Sequence, residues 1–342
     1  MYSWQQSQWQ HIMQQGAQSP NSKLPHALLL RGRAGTGKHD FALNLAETIL
    51  CPQASVEQKN SLQHACGSCP SCNWFTEGTH PDFMLIGPED TDNTDDGLSS
   101  APKKKSAKKT QISVAKIRQL LDYLTLSSHQ VNGHRVIIIS PADMLNGVSA
   151  NALLKVLEEP PANTLFLLVT SQPQRLLATI TSRCQAVDMP LPAKTEALAW
   201  LSTQQINNAE NILDLAGGAP LLALQLAEEG EASENILKNL TLGAKLDPFA
   251  CAPLFLGLGM ERAIDTLQKW VFDLLSYKLT QALRYHAQQA NALQALAKSV
   301  NLSLLLSFQN KLLEAKKTAN HPLSNEAQLE NILLQYAQLF KP

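Results

Sequence analysis

Between residues 26 and 50 an apolar run, a glycine-rich loop and a helix-patterned segment follow one another without a break. His26-Ala27-Leu28-Leu29-Leu30 has the compact apolar character of a buried strand. It leads into Gly32-Arg33-Ala34-Gly35-Thr36-Gly37-Lys38-His39, and residues 41–50 then carry helical spacing. A strand, a glycine loop and a helix in that order point to a parallel α/β sheet with a phosphate-type loop at its edge. Glycines let backbone N–H groups curl around phosphate oxygens, and a lysine at the end adds a point charge. Gly32, Gly35, Thr36, Gly37 and Lys38 are therefore the candidate nucleotide-binding residues. The next position should be a Ser or Thr whose hydroxyl holds Mg²⁺, but it is His39, a poor ligand for a hard cation that wants oxygen.

A second departure lies further on. A P-loop ATPase needs an acid at the end of a neighbouring buried strand to hold the metal. Here residues 136–140 end in Ser140-Pro141-Ala142, and Asp143, three residues past Ser140, is expected to lie beyond the site. Two readings of the loop stay open, weak nucleotide binding and retention for packing alone. Hydrolysis of Mg-ATP by the chain alone is not expected.

Strand and helix patterns go on alternating to about residue 190. Strands are predicted over 82–87, 135–140, 164–170 and from 185. Helices are predicted over 4–17, 114–124 (with Ser113 as cap), 151–159 and, with a turn, 175–184. Pro160 and Pro161 stop the helix before them. Beyond 190 only helical periods remain. The expected organisation is an α/β domain over 1–190, a small helical domain over 191–243 and a C-terminal helical domain over 244–342. Residues 88–111 are polar, acidic first and then lysine-rich, with five Lys between 103 and 109. They read as a surface loop, with a phosphate-contacting patch as the alternative.

Four of the six cysteines follow the spacing Cys51-x14-Cys66-x2-Cys69-x2-Cys72. Four thiolates match the tetrahedral shell of a structural zinc ion and leave no position for water. An iron–sulfur cluster is the alternative, although the fourth Cys of that motif is missing at Thr76-Glu77. His64 or His80 could replace one Cys. Cys184 and Cys251 stand alone and read as small buried residues. With 28 Lys plus Arg against 29 Asp plus Glu, the net charge is −1, which excludes a basic protein overall. Nucleic-acid contact would have to come from a local patch or an assembly. No apolar stretch approaches the ~18 residues of a membrane span and the N-terminus carries no secretory pattern, so a cytoplasmic location is expected. Arg183, in Thr181-Ser182-Arg183-Cys184, either pairs with a surface acid or reaches a neighbour's γ-phosphate.

Several of these segments together resemble the bacterial DNA polymerase III clamp-loader family. They are residues 153–161 (LLKVLEEPP), Ser182-Arg183-Cys184 some 20 residues on, the cysteine module after the P-loop helix, residues 80–86 (HPDFMLI) and 324–336 (SNEAQLENILLQY). Within the family, His39, Ser140 and Pro141 match the subunit that does not hydrolyse ATP. Residues 216–224 (AGGAPLLAL) likewise lack the nucleotide-sensing Arg of the motor subunit. The resemblance implies an AAA+ domain with an inserted zinc module (51–72), a helical lid and an all-α collar that joins a hetero-pentamer. It implies gamma/tau ATPase subunits and a delta subunit as partners, and the sliding clamp and primed DNA through the assembly. It also implies that Arg183 acts in trans on a neighbour's ATP, with structural Zn as the cofactor. The competing functions are an active AAA+ ATPase and a zinc-dependent nucleic-acid-binding module using the lysines at 103–109.

Overall fold

Among the described residues every strand comes from the first of two units, Met1–Pro192 and Ala193–Pro342. The computed structural model describes residues 1–17, 24–54, 65–88, 111–125, 133–228, 230–318 and 325–340. Most of the polar loop expected at 88–111, with its lysines at 103–109, and His64 lie outside them.

The first unit runs α1 (Gln6–Ala17), β1 (Ala27–Arg31), α2 (Lys38–Leu50), α3 (Pro70–Thr76), β2 (Phe83–Ile86), α4 (Val114–Thr125), β3 (Arg135–Ile139), α5 (Gly147–Glu158), β4 (Thr164–Thr170), α6 (Ala178–Thr181) and β5 (Gln185–Asp188). The five strands form one parallel sheet in the order β2-β3-β4-β1-β5. A parallel sheet must be covered on both faces, and side chains alternate across each strand. Leu28, Leu30, Val136, Ile138, Leu165 and Leu167 pack with Trp9 and Ile12 of α1 and Phe41 and Leu45 of α2. Leu29, Ile137, Ile139, Phe166 and Leu168 pack with Ile117 and Leu120 of α4 and Leu153 and Leu157 of α5. Each fully buried side chain of this kind contributes about 1.5–3 kcal/mol.

Several boundaries differ from the sequence expectation, for local reasons. Helix α5 starts at Gly147, not at 151, because the Asn146 carboxamide accepts the Ser149 N–H at 2.8 Å. Helix α2 starts at Lys38, directly out of the glycine loop. The helix expected over 175–184 is a single 3₁₀ turn at Pro173–Arg175 followed by the four residues of α6. The helix expected over 4–17 is a 3₁₀ turn at Ser3–Gln5 followed by α1.

The second unit has no strand among its described residues. Its helices are α7 (Lys194–Thr203), α8 (Ala209–Leu215), α9 (Pro220–Glu228), α10 (Gly230–Leu240), α11 (Pro248–Gly257), α12 (Met260–Thr280), α13 (Ala290–Ser299), α14 (Leu302–Thr318) and α15 (Asn325–Gln338). Helices α7 to α9 share a small core that includes Ala197, Leu201, Leu213 and Ala223. A larger core takes in Ile236, Phe255, Trp270, Leu312 and Tyr336. Within it the Trp270 indole N–H donates to the Tyr336 hydroxyl at 2.8 Å, which donates to the Leu240 carbonyl at 2.7 Å. No described helix is long and apolar enough to cross a membrane.

Candidate functional site

The glycine loop is closed by the protein's own groups. Lys38 is buried, and its Nζ donates to the Arg33 carbonyl of the same loop at 2.6 Å. Burial lowers its pKa to about 8, while Asp143 acts to raise it. The Thr36 hydroxyl donates to the same carbonyl at 3.1 Å. From the other side the N-terminal segment lies against the loop backbone. The Gln5 carboxamide, 1% exposed, donates to the Thr36 and Gly37 carbonyls, both at 2.9 Å. The Trp4 indole N–H donates to the Thr36 carbonyl at 3.1 Å. The Tyr2 ring stacks on Trp4, centroids 4.8 Å apart, and its hydroxyl donates to Asp40 at 2.7 Å. Gly37 has φ +81°, and a Cβ there would fall 2.5 Å from the Tyr2 ring. Gly32 lies so close to the Met189 carbonyl that a Cβ would come within 2.2 Å of its oxygen.

The two residues expected from the sequence to replace metal-holding groups lie together. His39 Nδ1 lies 3.0 Å from the Ser140 hydroxyl, within hydrogen-bond reach. The end of β3 and the first turn of α2 thus meet through these two side chains. Asp143, expected past the site, is near enough to act on Lys38. Its carboxylate is engaged by the Thr170 hydroxyl at 2.6 Å and the Ser171 N–H at 3.4 Å. Tyr2, Trp4 and Gln5 are the site residues that sequence reasoning missed. Their spacing carries only a helix-like signal, and nothing local marks the loop they pack on.

Arg183 follows the short α6 and is a third exposed. Its guanidinium pairs with Glu158 at the end of α5, Nη2 to Oε1 2.5 Å, and donates from Nη1 to the Thr179 carbonyl at 2.9 Å. Cys184 beside it packs on the sheet core, and burial raises its thiol to about 11. Cys251 is buried in the helical core.

The four clustered cysteines come together from three places. Cys51 caps the C-terminus of α2, Cys66 lies in the loop, Cys69 is the N-cap of α3 and Cys72 sits in its first turn. All four sulfurs lie within 4.8 Å of one another. Cys51–Cys69 and Cys66–Cys72 are 3.9 Å apart and Cys69–Cys72 3.5 Å. A tetrahedral ion with metal–sulfur bonds of about 2.3 Å needs sulfurs about 3.8 Å apart. The donor set fits a metal ion and is compatible with zinc. The Cys66 N–H points at the Cys51 sulfur and the Cys69 N–H at the Cys66 sulfur. N–H donation from Ser68 brings the Cys66 thiol down to about 6, whereas burial pushes Cys51 and Cys72 up. His80 is not a ligand here. Its Nδ1 accepts the Asp82 N–H at 3.0 Å, which leaves Nε2–H to donate to Ser71 Oγ at 2.9 Å. Ser71 in turn donates to the Leu50 carbonyl, so this relay ties α3 to the end of α2.

Residues 4–192 match the sequence family described as "DNA polymerase III, delta subunit". The chain is 31% identical to DNA polymerase III subunit delta' of Pseudomonas aeruginosa, covering 100% of this chain and 99% of that protein. It is 30% identical to subunit delta' of Bacillus subtilis, with 91% of each covered. It is also 31% identical to DNA polymerase III subunit tau of Bacillus subtilis, over 48% of this chain and 25% of that one.

Proposed function

Given that the chain belongs to the DNA polymerase III delta' subunit family, we propose that it is a stator subunit of the replicative clamp loader that hydrolyses no ATP itself. One observation carries this reading: His39 and Ser140, at the two magnesium-holding positions, are bonded to each other. Lys38 turned back onto the Arg33 carbonyl supports it. The Arg33 carbonyl of the loop is held by Lys38 and Thr36, and the Thr36 and Gly37 carbonyls by Gln5.

In this reading the chemistry the chain supplies is Arg183. It stands at the surface of the α/β unit, and its guanidinium stabilises the charge that builds on the γ-phosphate oxygens of ATP bound to an adjacent gamma/tau subunit. The fold is of AAA+ type, with a lid over 191–243 and an oligomerising collar over 244–342. The assembly is a hetero-pentamer with gamma/tau and delta, and it meets the sliding clamp and primed DNA as a whole. Cys51, Cys66, Cys69 and Cys72 hold a structural zinc that clips their loop to the end of α2. Four thiolates leave no open coordination position, so zinc takes no part in the chemistry.

DNA- and clamp-stimulated ATP hydrolysis by the reconstituted loader tests the reading. The chain alone should be silent. The wild-type assembly should turn over, and an assembly with Arg183→Ala should form but hydrolyse slower by a factor on the order of 10³. Turnover by the isolated chain would sink the stator reading, and an unimpaired Arg183→Ala assembly would reduce Arg183 to a structural residue.

A further inference from the structure

Glu158 is the last residue of α5, directly before Glu159-Pro160-Pro161. A carboxylate in the final turn sits at the negative end of the helix dipole, so local helix energetics disfavour it there. Its partner is Arg183, Nη2 to Oε1 2.5 Å, with the two side chains 35% (Arg) and 50% (Glu) exposed. An ion pair this open to water adds little to folding stability. Neither the helix nor the fold accounts for the placement.

The pair fixes the guanidinium. Glu158 holds Nη2 from the end of α5, and the Thr179 carbonyl holds Nη1 from α6 at 2.9 Å. The Ser182 hydroxyl adds a longer contact to Nη1 at 3.4 Å. Two acceptors on two different elements set both the plane of the fork and its rotation. Nη2 keeps a second N–H, and Nε–H has no protein acceptor among the described residues. A planar fork held in this way still has donors to offer to an anionic oxygen.

We infer that Glu158 is the positioning residue for Arg183, holding the guanidinium pre-oriented toward a phosphate on the adjacent subunit. This rests on the trans role of Arg183 proposed above. Without the carboxylate, the long side chain must be ordered at every encounter, and fewer bound ATP molecules meet a correctly aimed fork. The effect falls on kcat and not on ATP affinity, because the nucleotide is held by the neighbour's own loop.

The test is stimulated ATP hydrolysis by the full reconstituted loader carrying Glu158→Ala, Glu158→Gln, Arg183→Ala or the Glu158→Ala/Arg183→Ala pair. Glu158→Ala should lower kcat about 5- to 20-fold at unchanged KM. Glu158→Gln, which keeps an acceptor oxygen at the same reach, should recover part of that loss. In the double variant Glu158→Ala should cost nothing beyond Arg183→Ala. If Arg183→Ala is slow while Glu158→Ala matches or exceeds wild type, the positioning role is overturned and the trans arginine stands. A further loss in the double variant, or a raised KM, also overturns it by placing the effect of Glu158 elsewhere. If Arg183→Ala itself matches wild type, the trans role falls and the positioning role with it.

Discussion

Gly37 combines two constraints at one Cα. Its φ of +81° is a left-handed conformation that an L side chain adopts only under strain, and a Cβ would meet the Tyr2 ring at 2.5 Å and the Gln5 carboxamide at 2.8 Å. Gly37→Ala should therefore destabilise the chain by about 1–3 kcal/mol in urea unfolding. Adding Tyr2→Ala to that variant removes the ring clash but not the backbone strain, so it should restore only part of the loss. Equal stability of Gly37→Ala and wild type would show that the N-terminal segment does not rest on the loop. The glycines and Lys38 were legible because their spacing is itself the motif. Tyr2, Trp4 and Gln5 were not, since Gln5 reaches its acceptors across 31 and 32 residues of sequence and no local pattern encodes such a contact.

Helices α2 and α3 are joined through their ends. Cys51 closes one, Cys69 opens the other, and Ser71 bridges to the Leu50 carbonyl at 2.8 Å. A metal ion held by the four sulfurs would add a second tie between the same two helix ends. With zinc bound, Cys69→Ser should lose most of the metal, read as a bound-zinc ratio well below one per chain. It should also lower the melting temperature and change the fluorescence of Trp74, which packs edge-on against His80 at 6.1 Å. Full zinc content in Cys69→Ser would remove that cysteine from the shell. The far-UV signal should persist in the variant, because the sheet has its own cores on both faces. The spacing of the four cysteines made this centre readable without a structure. The relay through His80 was not readable, and the structure turns that residue from a possible ligand into a support.

In the helical unit one buried carboxylate is held below its ordinary pKa. Asp273 is fully buried and accepts N–H groups from Arg284, Tyr285 and His286, as well as His286 Nδ1 at 2.8 Å. Burial pushes its carboxyl up, but the His286 ring and these backbone donors outweigh that and leave it below its ordinary value. A carboxyl held lower in the folded state than in the unfolded chain, where it titrates near about 3.9, stabilises the fold above that pH. The contribution is lost as the pH falls through the folded-state pKa. Unfolding followed from pH 7 to pH 3 should show this acid limb in wild type and a flatter profile in Asp273→Asn. That variant should also be about 3 kcal/mol less stable at pH 7, because its carboxamide nitrogen cannot accept and leaves some of the buried N–H donors of Arg284, Tyr285 and His286 without an acceptor. An unchanged acid limb in Asp273→Asn would assign the pH dependence to other carboxylates.

Periodicity and spacing were enough for the alternation of strands and helices up to about residue 190, for the glycine loop between a strand and a helix, and for the grouping of four cysteines. Each of these is written in residues near one another in the chain, where backbone geometry turns spacing directly into shape. Folding alone decided that His39 meets Ser140, that the N-terminal turn packs on Gly37, that Glu158 holds Arg183, and that Asp273 gathers the loop at 284–286. The strand order β2-β3-β4-β1-β5 belongs with them, since it places β1 between β4 and β5 across more than a hundred residues. Contacts of this kind depend on how two covered faces of a sheet close over distant segments, and no short window of sequence contains both partners.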